Sequence, residues 1–137
     1  MLKDRVAYYY DQCDTNCAET VLKCANDEWH FDLDAKSFKA IACLGAGACC
    51  GKFCGAIAGG LAALGEKYID VCFHKTEGLK DLGKRFVLEC EAKLGSVDCD
   101  VVRPKYRTED KRCRETIEIV AQILQSIVNE TDGAKAE

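Results

Sequence analysis

The chain has 137 residues, a net charge of −4, 48% apolar side chains and 31% charged ones. That length suits one domain able to bury its own core. The composition excludes a disordered chain, and the negative balance argues against nucleic-acid binding as the main activity.

Apolar residues recur at helical spacing, period-2 runs are missing and there is a single proline, Pro104, so the expected fold is all-α. A first short helix aligns Leu2, Val6, Tyr9 and Cys13 on one face. Asn16, with Glu19 three residues on, forms a capping box that opens a second helix over 17–26. Asp34 caps a third over 35–44, with Phe38, Ile41 and Ala42 inward. A Gly/Cys-rich turn follows, and a fourth helix runs from Cys54 to Tyr68 on a stripe of Ile57, Leu61, Leu64 and Tyr68. Residues 70–77 read as a loop and 78–94 as a fifth helix. Residues 95–107 read as irregular, broken by Pro104. Thr108 is placed to cap a last helix over 109–129. The expectation is one compact bundle of about six helices over 1–130, with 131–137 as a disordered tail.

Eleven cysteines stand out, and their odd number rules out complete internal pairing. The start of the chain, MLKDRVAYYYDQ, has no apolar signal core. The longest apolar run, Ala56 to Leu64, is too short and glycine-rich for membrane insertion. A cytoplasmic location with reduced thiols is therefore expected. Metal binding, redox chemistry and small buried hydrophobes remain as explanations.

Helix position separates the thiols. Cys17 and Cys54 fall in the first turns of helices, where unpaired N–H groups and the helix dipole favour thiolate, so a lowered pKa is expected. Cys99 lies in the irregular segment and Cys113 begins the stripe of the last helix. Cys13, Cys24, Cys43 and Cys90 occupy helices and read as core residues. Cys72 beside His74 makes no site alone, and His30 is expected beside Trp29 or in solvent. Cys49 and Cys50 flank the glycines and are weaker ligand candidates. The basic run Arg103, Lys105, Arg107, Lys111, Arg112 and Arg114 alternates with acids and reads as a solvated face. C-x-x-C, C-x-x-C-H, ferredoxin spacings and a P-loop ending are all missing, so c-type haem is not expected.

The segment Cys54-Gly55-Ala56-Ile57-Ala58-Gly59 resembles the CGAxxG signature of the C_GCAxxG_C_C family of redox-active proteins. Asn16-Cys17-Ala18, the Gly45/Gly47 turn, Gly95-Ser96-Val97-Asp98-Cys99 and Cys113 resemble the family's other motifs in order, over nearly the whole chain. Here Ala46, Ala48, Cys49 and Cys50 replace a more glycine-rich centre. The resemblance implies that Cys17, Cys54, Cys99 and Cys113 form the site and that the role is redox. It also implies a relation to the iron–sulfur domain of split-Soret cytochromes, and a redox partner in a transporter-associated system.

Three functions follow. The first is an iron–sulfur cluster held by the four thiolates, for electron transfer or redox sensing, with zinc as a variant of the same site. Gly45, Gly47, Gly51 and Gly55 would then bring backbone N–H groups close to the cluster. The second is thiol–disulfide chemistry with Cys54 or Cys17 as the low-pKa thiol. The third is a partner-binding helical domain with incidental cysteines. A redox carrier or sensor is favoured over a stand-alone enzyme. The identity of the partner and the choice between monomer and homodimer are left open.

Overall fold

The computed structural model describes residues 1–136 and is all-α, with no strand among them. Seven α-helices appear: α1 (Leu2–Ala7), α2 (Cys17–Trp29), α3 (Ala35–Ile41), α4 (Gly55–Tyr68), α5 (Leu79–Leu94), α6 (Cys99–Tyr106) and α7 (Arg114–Ala136). Among the described residues, no helix is long and apolar enough to cross a membrane.

The core forms where helix stripes face each other. Val21 and Leu22 of α2, Ile57 and Leu64 of α4, Phe86 and Leu94 of α5, and Val120 and Leu124 of α7 are all buried. Helix α2 packs most extensively on α4, and small residues let them close. A Cβ at Gly59 would come within 2.5 Å of the Ala18 carbonyl oxygen. Helix α1 lies on α2 and α7, and its free Leu2 N–H donates to the buried Gln125 Oε1 at 2.9 Å.

Local signals explain the ends of α2 and α3. The Asn16 side chain accepts from Glu19 N–H while Glu19 Oε1 accepts from Asn16 N–H. Asp34 accepts from Ser37 N–H. The second helix runs to Trp29, past the expected residue 26, and the third ends at Ile41 with a tight 3₁₀ turn over Ala42–Leu44.

Four other differences stand out. A π-helical turn at Tyr8–Gln12 ends α1, so Tyr10 is buried and Cys13 is exposed. Residues 99–106, expected to be irregular, form α6 in spite of Pro104. In so short a helix the proline forfeits one backbone bond, and Arg107 N–H still reaches Arg103 O at 2.9 Å. Thr108 does cap a turn, since its Oγ1 accepts from Lys111 N–H at 3.1 Å. Left-handed Arg112 (φ 52) then diverts the chain, and α7 begins only at Arg114. Finally, α7 continues through residues 131–136, which were expected to be disordered. Glu137, the last residue of that expected tail, lies outside the described residues.

The glycine segment is the least regular part. Ala46, Gly47, Ala48 and Cys49 have φ of 55, 63, 56 and 64, four left-handed residues in succession. Three of them carry a Cβ, at roughly 1–2 kcal/mol each, so the surrounding structure must hold this turn in place.

Candidate metal centre

The left-handed turn brings the chain back beside α6. Gly47 O accepts from Lys52 N–H at 2.8 Å, Lys52 O accepts from Cys99 N–H at 2.6 Å, and Cys54 N–H donates to Val97 O at 2.7 Å. An isolated antiparallel bridge between Phe53 and Asp98 lies between these bonds. Cys54, at the N-cap of α4, is thereby stitched to Cys99, at the start of α6. Cys17 opens α2 next to both, and the space a Cβ at Gly55 would need is occupied by Cys17 Sγ.

Cys17, Cys99 and Cys113 line one cavity of about 220 Å³. Cys54 is buried beside it, close enough to act electrostatically on Cys17 and Cys99. Cys113 sits one residue before α7, and its carbonyl accepts the helix's Ile117 N–H at 3.1 Å. Tyr10 forms part of the wall and its hydroxyl accepts from Cys113 N–H at 3.3 Å. The four cysteines singled out in the sequence thus come from four segments to one end of the bundle.

Three arginines of the basic run also line this cavity: Arg103, Arg107 and Arg112. Arg103 Nη2 donates to Cys99 Sγ at 3.4 Å and Arg107 Nη1 to Cys113 Sγ at 3.7 Å. Arg112 stacks 4.4 Å from the Tyr10 ring and donates to Tyr10 O at 3.1 Å. Reading this run as a solvated face missed all three. The available signal was the i, i+4 spacing of Arg103 with Cys99, which becomes meaningful only once α6 is helical.

The expected low pKa of Cys17 and Cys54 is corrected by burial. Desolvation pushes the Cys54 thiol up to about 11, against hydrogen bonds from Ile57 and Ala56 N–H that pull it down. Cys17 is also raised by burial, with Ala46 and Ala18 N–H opposing. The helix-start effect is present at both thiols, and desolvation outweighs it.

The four glycines do not open onto vacant space. A Cβ at Gly45 would meet the Asn16 side chain, and one at Gly51 the Asp100 carboxylate. At Gly47 it would lie 2.6 Å from both Cys99 Cβ and Lys52 N. They act as close-packing points that draw the cysteine-bearing segments together. From this turn Ala46 sends its N–H to a site thiol, that of Cys17.

The remaining thiols lie elsewhere. Cys24 and Cys90 are fully buried core residues. Cys13 and Cys43, expected in the core, are exposed, as are Cys49, Cys50 and Cys72. Cys49 and Cys50 hydrogen-bond to Cys43 O and Gly47 O and are not on the cavity lining. Among the described residues, no three His, Cys, Asp or Glu side chains stand at metal-holding distance from one another.

A family model described as "Putative redox-active protein (C_GCAxxG_C_C)" matches residues 15–127. No curated protein and no solved structure matches the chain.

Proposed function

The chain belongs to the C_GCAxxG_C_C family of redox-active proteins, and on that premise we propose that Cys17, Cys54, Cys99 and Cys113 bind an iron–sulfur cluster for electron transfer or redox sensing. The observation that carries this reading is the pairing of thiols with guanidinium groups around one cavity. The donor chemistry fits, since cluster irons take soft thiolate ligands, commonly four. The charge fits as well, because thiolates and inorganic sulfides together are anionic and three arginines supply the opposing charge. When bound, such a centre stores and passes one electron.

The chain's own residues would do the rest. Burial keeps Cys54 and Cys17 protonated until a metal replaces the proton, so loading releases protons. Arg103 and Arg107, which donate to the Cys99 and Cys113 sulfurs, would offset the negative charge of a bound centre and hold those side chains toward the cavity. Tyr10, braced by Arg112, limits water on one side. The Cys54–Val97 and Cys99–Lys52 backbone bonds keep two ligand segments in register before any metal enters.

The test is anaerobic purification followed by visible spectroscopy and iron, sulfide and zinc analysis. Broad charge-transfer absorption with stoichiometric iron and sulfide, lost in Cys54→Ser, is expected. Stoichiometric zinc without sulfide would make the centre a zinc site. Colourless, metal-free protein that cannot be reconstituted with iron and sulfide would sink the proposal.

A further inference from the structure

A second group of thiols has no part in the cavity. Cys43, Cys49 and Cys50 are exposed, so packing does not account for them. Cys43 lies in the 3₁₀ turn after α3, and the chain between it and Cys49 is short. The left-handed run at Ala46–Cys49 turns this segment back and brings the Cys49 side chain to the Cys43 carbonyl. Cys49 Sγ donates to Cys43 O at 3.1 Å. Desolvation first, then the Cys43 thiol through its charge and a side-chain hydrogen bond, and last the Cys50 thiol raise Cys49 above its ordinary pKa. Cys50 Sγ donates instead to Gly47 O, at 3.8 Å. Of the three residues, Cys43 and Cys49 are joined by the Cys49 Sγ to Cys43 O hydrogen bond, and both are open to solvent.

We propose that Cys43 and Cys49 form a reversible dithiol–disulfide site, separate from the four-cysteine cavity, that exchanges with low-molecular-weight disulfides. One thiol, as thiolate, attacks a sulfur of the disulfide RSSR, bonding to one RS group and expelling the other as RS⁻. The second thiol gives its proton to solvent and attacks the protein sulfur of that mixed disulfide. The Cys43–Cys49 bond forms and the second RS⁻ leaves. In balance, two protein thiols are oxidised and one RSSR is reduced to two RSH. The fixed turn supplies the proximity that makes the second step intramolecular. Neither step needs a metal, so the proposal stands independently of the cluster.

The test treats the full-length protein with oxidised glutathione, quenches with acid, alkylates and digests with trypsin. Lys39 and Lys52 bracket residues 40–52, so all three thiols fall in one peptide and fragmentation assigns the bond. The expected product is this peptide lighter by two hydrogens, linked 43 to 49, in wild type and in Cys50→Ser alike. Cys43→Ser should instead accumulate glutathione on Cys49, and Cys49→Ser on Cys43. The proposal fails if wild type links 49 to 50, or if Cys43 and Cys49 each keep glutathione without cross-linking. A glutathione redox buffer should return the reduced peptide, and an irreversible product would equally overturn it.

Discussion

Arg103 Nη2 lies 3.4 Å from Cys99 Sγ, while Arg103 Nε is buried with no hydrogen-bond partner among the described residues. A guanidinium with an unsatisfied buried N–H is costly unless charge compensates it. Cys99 and Cys113 would supply that compensation as thiolates, and the charge of Cys99 is the leading cause that raises Arg103 above its ordinary pKa. The side chain is therefore placed for an anionic neighbour in the cavity it lines.

On the cluster reading, Arg103→Met should lower the midpoint potential of the loaded protein. A nearby positive charge favours the more negative, reduced state, and its removal favours the oxidised one. The shift should be on the order of tens of millivolts, given partial exposure and an effective dielectric of about 20. Arg103→Lys should restore most of it. Protein-film voltammetry measures both, and an unchanged potential in Arg103→Met would show that the charge does not reach the centre.

Gly55→Ala should destabilise the fold and displace a ligand. The new methyl would overlap Cys17 Sγ and stand 2.9 Å from Gly45 Cα and from Leu44 O, so backbone must move as well. Overpacking of this kind costs about 1–3 kcal/mol. Gly83→Ala is the contrast. It lies within α5 and its methyl would meet only Leu61, at 3.5 Å. It should stabilise by about 0.5–1 kcal/mol through helix propensity. Urea unfolding of both variants checks the pair, and opposite signs are expected.

Much of this arrangement was legible in the sequence because local rules governed it. The capping box at Asn16, the Asp34 cap and the stripes of α4, α5 and α7 are short-range features, and the four cysteines stood at recognisable starts and turns. What escaped notice depended on tertiary context. Pro104 argued against α6 until its loss was limited to one bond, and without α6 the i, i+4 relation of Cys99 and Arg103 could not be seen. Helix-start positions predicted low thiol pKa values, because burial is not readable one residue at a time. Glycines that looked like an open cradle are close-packing points, since only the fold shows what stands opposite each one.

Alkaline pH should destabilise the metal-free protein through its core thiols. Burial pushes both Cys24 and Cys90 up to about 12 from an ordinary value of 9.0, and both side chains are fully buried. A thiol with a raised folded pKa stays neutral in the fold while the unfolded chain ionises. Its contribution is therefore complete below pH 9.0 and is lost as pH rises toward about 12. Each thiol should add a slope of about 1.4 kcal/mol per pH unit in that window. Urea midpoints measured upward from pH 9.0 should fall, and less steeply in Cys24→Ala. A flat profile would mean that these thiols ionise inside the folded protein.

Asn16 should prove costlier to remove than an ordinary helix cap. Its Oδ1 accepts from Glu19 N–H at 2.9 Å, and its Nδ2 donates to Ala42 O at 2.8 Å, tying the start of α2 to the turn after α3. The same side chain fills the space beside Gly45. Losing a cap alone costs about 1 kcal/mol. Asn16→Ala also strands the Ala42 carbonyl and loosens the segment next to Cys17, so about 2–3 kcal/mol is expected. Asn16→Asp keeps the acceptor for Glu19 N–H and loses the donor to Ala42, so it should fall between wild type and Asn16→Ala. Chemical denaturation ranks the three, and reconstitution with iron and sulfide should follow the same order. Equal stability of Asn16→Asp and wild type would show that the link to Ala42 adds nothing beyond the cap.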